Sequence, residues 1–268
     1  MPAKLLVIGG GKMGGALIAG LLASGWAGSG DLGVVEPAAP RRAELERQHP
    51  GLGLVEQISP GLVRDDGGAV LAVKPDIAEA TCRALAAAGV RRVLSVAAGV
   101  PSQRLEVALG DGAVVIRAMP NTPVLVGAGA SAISGGSNAH AADLDWAESI
   151  LAAVGSVVRV PERQLDAVTG LSGSGPAYVF LMVESLIEAG VAAGLARDVS
   201  TQLVVDTVFG SAKLLSVSGE TPERLRADIT SPGGTTAAGL RTLEARAVRS
   251  AFIEAVAAAA ERSRQLAR

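Results

Sequence analysis

Lys4-Leu-Leu-Val-Ile-Gly-Gly-Gly-Lys-Met-Gly14 is the stretch that decides how this chain folds. Its first five residues are a short apolar run without alternation, the pattern of a strand buried on both faces. From Lys12 to Ser24 the apolar residues return at helical spacing, with Leu17, Leu21 and Leu22 on one side. Between strand and helix, Gly9-Gly10-Gly11-Lys12-Met13-Gly14 fits G-x-G-x-x-G. Glycine-rich turns are common, but one that ends a first strand and opens a helix is far more specific. The first glycine permits a tight turn, the second lets the backbone approach a pyrophosphate, and the third lets helix and strand pack closely. Free N–H groups at the helix start then receive the phosphates. The placement predicts dinucleotide binding.

Working outward, strands are expected at Leu32–Glu36, Ala69–Val73, Val93–Ala97 and Ala113–Arg117, with helices at Arg41–Gln48, Asp76–Ala88 and Pro101–Leu109. This alternation predicts an α/β fold, a Rossmann-like doubly wound, mostly parallel sheet covered on both faces. The pattern changes near Pro161. Beyond it, Gln164–Leu171, Pro176–Gly194, Ser200–Val217, Pro222–Ile229, Thr235–Glu244 and Ala247–Leu266 all read as helices. We therefore expect a dinucleotide-binding domain over 1–160 and an all-helical domain over 161–268. The helix from Pro176 is apolar on most of its surface, with Tyr178, Phe180, Leu181, Met182, Val183, Leu186 and Ile187. Such a helix must be covered on all sides. A domain this small can hardly wrap it alone, so a homodimer interface is expected there.

Composition narrows the function. The formal net charge is −2 and no segment is strongly basic, which argues against nucleic acid as a partner. Cys82 is the one cysteine, so a disulfide scaffold is excluded. With two distant histidines, His49 and His140, it cannot build a metal site either. The uncharged stretches Met13–Gly30 and Ala118–Ala142 are broken by glycine or proline, so neither reads as a signal peptide or a membrane span. The expected location is the cytoplasm.

Glu36 lies 22 residues after Gly14. An acid about 20 residues on usually accepts the adenosine ribose hydroxyls, which favours NADH. Arg41 and Arg42 follow closely and could instead meet the 2′-phosphate of NADPH. The sequence leaves both coenzymes open.

Five further segments complete the pattern: Ala72-Val-Lys-Pro75, Ser95-Val-Ala-Ala-Gly-Val100, Arg117-Ala-Met-Pro-Asn-Thr-Pro123, Gly170-Leu-Ser-Gly-Ser-Gly-Pro-Ala-Tyr178 and Ser231-Pro-Gly-Gly-Thr-Thr236. With the N-terminal glycines, the chain resembles the pyrroline-5-carboxylate reductase family along nearly its whole length. The resemblance implies a Rossmann domain followed by a helical dimerisation domain, often assembled into rings of dimers. It implies NADPH- or NADH-dependent reduction of 1-pyrroline-5-carboxylate to L-proline, the last step of proline biosynthesis. Ile8, Gly9, Gly10, Gly11, Lys12, Met13 and Gly14 would hold the pyrophosphate. Ala72, Val73, Lys74 and Pro75 would border the coenzyme, with Val96, Ala97 and Ala98. Thr236 would hydrogen-bond the ring nitrogen, and Ser231 and Thr235 would help hold the substrate carboxylate. Glu162 and Asn121 are further carry-overs near the substrate. Where relatives commonly carry Asp before the substrate loop, this chain reads Arg226-Ala227-Asp228, so Asp228 is given no role.

Elementary chemistry agrees about the loop. Pro232 fixes φ, and N–H groups from Gly233 and Gly234 to Thr236 can converge at a helix start, a nest suited to a carboxylate. The plainer alternative is a helix N-terminus capped by Ser231 or Thr235. Two rival functions remain. A β-hydroxyacid dehydrogenase shares the architecture and would use a lysine of the helical domain, for which Lys213 is the candidate. A nucleotide-sensing dimer would bind coenzyme without turnover. The intact 231–236 loop speaks against both.

Overall fold

In the computed structural model, which describes residues 2–266, an eight-stranded sheet organises the N-terminal part. Its strands are β1 (Ala3–Ile8), β2 (Leu32–Val35), β3 (Gly53–Val55), β4 (Val63–Leu71), β5 (Arg92–Ser95), β6 (Val114–Met119), β7 (Gly129–Gly135) and β8 (Gly155–Arg159), in the order 3-2-1-4-5-6-7-8. The first six are parallel throughout. β7 runs antiparallel to β6, and β8 parallel to β7. Order 3-2-1-4-5-6 is the dinucleotide-binding arrangement, with the strand order reversing beside β1.

Both faces of the sheet are covered, which is why residues 5–8 of β1 read as an unbroken apolar run. Leu5 and Val7 point into one core with Leu17, Ile18 and Leu21 of α1 (Lys12–Ala23). Leu6 and Ile8 point into the other, with Cys82 and Leu85 of α3 (Ala78–Ala87) and Leu105 and Leu109 of α4 (Ser102–Leu109). Successive strand residues face opposite sides, so a doubly covered strand must be apolar at every position. Cys82 is fully buried, and burial pushes its thiol up to about 12, leaving it an inert packing group. α2 (Ala39–Gln48) links β2 to β3.

Three strands and one helix go beyond the expected set. β3 is only three residues long. β7 reads Gly-Ala-Ser-Ala-Ile-Ser-Gly, small residues with little of the β-branched character that marks a strand. β8 and α5 (Ala141–Leu151) complete that edge. The stretch after Ala118 thus contains strand rather than simple loop.

The chain divides into two compact units: residues up to Ser174 together with those from Ala257 onward, and Gly175–Val256. In the first, α6 (Leu165–Val168) runs into a π-helical turn, Thr169–Gly173. The second holds α7 (Gly175–Ala192), α8 (Arg197–Ser218), α9 (Pro222–Asp228), α10 (Thr235–Ala245) and the first part of α11 (Val248–Leu266). α7 and α8 form a helical hairpin, fastened where Ser200 Oγ donates to the Ile187 carbonyl at 2.9 Å. Among the described residues of this unit, Ser200 alone is buried. Phe180, Leu181 and Phe209 stand 66%, 64% and 69% exposed. Tyr178, Leu181, Met182, Leu186, Leu243 and Phe252 line an apolar groove of about 510 Å³. The helical stretch Glu162–Ala192 is long and apolar enough to cross a membrane by length and composition alone. A helix made to pack against other helices passes that same test.

Candidate active site

The glycine turn is built by its neighbours. Gly9 has φ +98°, and an added Cβ would stand 2.5 Å from the Ala72 carbonyl oxygen. That combination admits glycine alone. Its N–H donates to the Val35 carbonyl at 2.9 Å, and the Ala72 N–H donates to the Ile8 carbonyl at 2.9 Å. The Val96 N–H reaches the Leu71 carbonyl at 3.1 Å. The ends of β1, β2, β4 and β5 therefore gather Ile8, Gly9, Glu36, Ala72 and Val96 along one sheet edge. Val73, Lys74, Pro75, Ala97 and Ala98 follow in the same two loops, with Lys74 and Ala98 exposed and Ala97 buried.

These residues fit a dinucleotide. Gly11 caps α1 in an extended conformation with no side-chain hydrogen bond, and the first turn contains no acid. A Cβ at Gly11 would meet nothing within 4 Å. The N–H groups of Lys12, Met13 and Gly14 have no partner one turn earlier in the helix. An uncapped N-terminus opening on space is a seat for a phosphate.

Glu36 is held beside this seat. One carboxylate oxygen accepts the Gly10 N–H and the other the Ala38 N–H, each at 2.9 Å. Arg41 Nε donates to the Gly10 carbonyl at 2.5 Å, and Arg41 pairs with Glu44 at 2.6 Å. Arg42 donates to the carbonyls of Glu36 and Pro37, both at 2.7 Å.

Next to the Pro75 and Ala98 loops lies a cleft of about 340 Å³ in the same unit, lined by Pro75, Ala98, Gly99, Thr169, Ser174 and Ser263. A larger cavity of about 470 Å³ sits at the opposite ends of β4 and β5. Two of its arginines are already engaged: Arg64 pairs with Asp31 at 2.6 Å, and Arg91 donates to the Leu109 carbonyl at 2.6 Å. Ligands of open α/β sheets bind beyond the C-terminal strand ends, so the smaller cleft is the relevant one.

Glu162 and Asn121 belong to this unit, and both have protein partners. The Glu162 carboxylate accepts the Ser102 N–H at 2.8 Å, the Ser102 hydroxyl at 2.6 Å and the Arg117 guanidinium at 2.7 Å. Burial alone would raise this carboxyl. The bonds from Arg117 and Ser102 outweigh it and hold the group below the ordinary carboxylate range. Glu162 thereby ties the start of α4 to β6. Asn121 Oδ1 accepts the Ala130 N–H at 2.8 Å, fixing the turn between β6 and β7. Ser102 and Arg117 carried no expected role. The one available signal was Arg117, a charge in the otherwise apolar strand Val114–Met119.

In the helical unit, Ser231-Pro-Gly-Gly234 closes a turn in which the Gly234 N–H donates to the Ser231 carbonyl at 3.0 Å. Pro232 in the second position and Gly233 at φ +71° in the third make it a type II turn. Gly234 then starts α10 with no side-chain cap and no acid in the first turn. Among the described residues, no hydrogen bond engages the side chains of Ser231, Thr235 or Thr236, so Ser231 and Thr235 do not cap this helix. Three free hydroxyls and a set of unpaired N–H groups converge at one helix start, a donor set for a carboxylate. Lys213 lies exposed on α8.

Comparison with known proteins identifies the family. Residues 162–266 match the family described as pyrroline-5-carboxylate reductase dimerisation, and residues 4–99 match the family described as NADP oxidoreductase coenzyme F420-dependent. The chain is 43% identical to a pyrroline-5-carboxylate reductase of Synechocystis, over 99% of both chains. It superposes on a solved pyrroline-5-carboxylate reductase of Coxiella burnetii with a TM-score of 0.93 at 33% identity, covering 100% of both. The Plasmodium falciparum pyrroline carboxylate reductase, solved with NADP bound, gives 0.86 at 32% identity, covering 99% of this chain and 98% of that one. With identity of this order along its entire length, the chain belongs to the pyrroline-5-carboxylate reductase family.

Proposed function

We propose that this chain catalyses the NAD(P)H-dependent reduction of the C=N bond of 1-pyrroline-5-carboxylate to L-proline, the closing step of proline biosynthesis. The observation that carries this reading is full-length identity with reductases of that name. The coenzyme supplies the hydride. The glycine turn from Ile8 to Gly14, with the uncapped start of α1, holds its pyrophosphate. Glu36 takes the adenosine ribose. Ala72, Val73, Lys74 and Pro75, with Val96, Ala97 and Ala98, border its other half.

The chemistry asks little acid–base work of the protein. A cyclic imine is basic enough to be partly protonated in neutral water, and protonation makes its carbon electrophilic. The protein's tasks are to hold and orient. N–H groups of Thr235 and Thr236, presented by the turn that Gly234 closes, bind the carboxylate with the hydroxyls of Ser231 and Thr235. Thr236 Oγ1 hydrogen-bonds the ring nitrogen. Glu162 and Asn121 act as positioning residues, keeping α4 and the β6–β7 turn in place. In this reading residues 1–160 serve the coenzyme and 161–268 serve substrate and assembly.

The apolar faces of α7 and α8 meet a second copy of the chain, and the dimers assemble further into a ring in the cytoplasm, without membrane or nucleic acid. Thr236→Ala should slow turnover by roughly 10- to 100-fold, the loss of one hydrogen bond to a charged group. Coenzyme affinity should be unchanged by calorimetry. Parental activity of this variant would remove Thr236 from the site. No reduction of the imine with either coenzyme, from folded protein, would remove the function.

A further inference from the structure

The relative from Plasmodium was solved with NADP. This chain carries a carboxylate, Glu36, at the end of β2, the strand end to which this sheet order brings the adenosine ribose. We infer that the chain prefers NADH over NADPH and that Glu36 makes the choice. The inference rests on the coenzyme-binding reading above and adds which coenzyme that site selects.

Glu36 directly follows β2, the strand beside β1, where the adenosine ribose of a dinucleotide lies in this sheet order. Its backbone is tied to the sheet, with the N–H donating to the Val55 carbonyl at 3.0 Å. Its carboxylate is tied to the turn, through Gly10 and Ala38. To swing away it would have to release two backbone N–H groups, and Gly10 is buried. Each carboxylate oxygen has spent one lone pair and keeps another for a ribose hydroxyl. The group is therefore set as an acceptor of two hydroxyls. It would stand as a fixed negative charge against a phosphate dianion.

The two arginines that could reverse this are engaged elsewhere. Arg42 is turned back onto the carbonyls of Glu36 and Pro37 and pairs with Glu56 at 3.3 Å. Arg41 is bound to the Gly10 carbonyl and to Glu44, and it lies against Gly15, where an added Cβ would stand 2.6 Å from its guanidinium. Freeing either guanidinium breaks an ion pair and strands a carbonyl. The arginines hold the turn on which Glu36 acts.

The test is calorimetric titration of the full chain with NADH and with NADPH, in parallel for the parent, Glu36→Gln and Glu36→Ser. The parent should bind NADH about tenfold more tightly or better, the scale of one like-charge contact near a protein surface. Glu36→Gln removes the charge with little change of shape and should bring NADPH affinity up toward that of NADH. Glu36→Ser should do the same and weaken NADH, because the hydroxyl acceptors go. Equal or tighter NADPH binding by the parent overturns the inference. So does a parent preference for NADH that both variants keep. A folded parent that binds neither coenzyme would instead overturn the dinucleotide reading itself.

Discussion

The sheet unit and the helical unit are written in the same alphabet of Ala, Val and Leu, and they dispose of it in opposite ways. In the sheet unit, Leu5, Leu17, Leu71, Leu94 and Leu105 are fully enclosed, because strands and flanking helices form closed layers. In the helical unit, Phe180, Leu181 and Phe209 face outward and the one buried side chain is the polar Ser200. Fully burying one large apolar side chain contributes roughly 1.5–3 kcal/mol, so the exposed set represents a large stabilisation that one copy does not collect. A contiguous apolar surface of this kind marks an interface. One unit carries its core within itself, while the other leaves its apolar faces outward for an interface, in keeping with its match to a dimerisation family.

The sharpest way to break this contrast is Leu181→Asp in the groove of the helical unit. A carboxylate buried without a partner should weaken association by about 100-fold or more. On the proposed dimer, sedimentation should then show a smaller species than for the parent, with helical signal lost from the far-ultraviolet spectrum. A variant that stays dimeric with parental melting would mean that the groove is not the shared core. The counterpart in the sheet unit is Leu17→Ala, which empties a closed core and should cost about 2–5 kcal/mol of unfolding free energy in denaturant titration. Its sedimentation mass should match the parent's, since the core it damages belongs to one chain.

A smaller effect tests the seam inside the sheet unit. Glu162 has its carboxyl held below the ordinary range by Arg117 and Ser102, against the opposing pull of burial. A depressed carboxyl contributes stability above its unfolded pKa and loses it as pH falls through the folded value. Stability owed to this cluster should therefore be full at neutral pH and fade below about pH 4.5. Glu162→Gln should cost roughly 1–3 kcal/mol at pH 7, since Arg117 loses its charged acceptor. The difference from the parent should shrink toward acid pH. A gap that stays constant from pH 7 down to pH 3 would mean that the carboxylate's charge is not what binds α4 to β6.

How well each region could be read from sequence follows from the same contrast. The runs 5–8, 32–35, 69–71, 93–94 and 114–116 announce themselves because burial on both faces demands apolar residues, whereas the exposed Arg64-Asp65-Asp66 half of β4 carries no such signal. β7 does not, because Gly-Ala-Ser-Ala packs tightly without branched side chains and looks like loop. The glycine turn was readable because its sequence is local and its consequence, Gly9 at φ +98°, is local too. The Glu162–Ser102–Arg117 cluster was not, since it joins residues 45 and 60 positions apart. The choice between Glu36 and the arginines was undecidable from residue types. It turns on hydrogen bonds to Gly10, Ala38 and Pro37, which only the folded turn defines.

The smallest expected effect separates two helix starts within the helical unit. α9 begins conventionally: Thr221 Oγ1 accepts the Arg224 N–H at 3.3 Å, Pro222 stands in the first turn, and Glu223 follows it. α10 begins at Gly234 with none of these devices. The first helix start has spent a donor on its own cap, while the second leaves the N–H groups of Thr235 and Thr236 without one. Thr221→Ala should therefore cost about 0.5–1 kcal/mol of stability, near the lower end for a cap with so long a bond, and leave kcat and coenzyme affinity as they were. Thr236→Ala should do the reverse, sparing the melting temperature and lowering kcat. If Thr221→Ala lowered kcat as strongly as Thr236→Ala, the two helix starts would not divide structure from chemistry. The free hydroxyls at 231–236 would then lose their claim to the substrate.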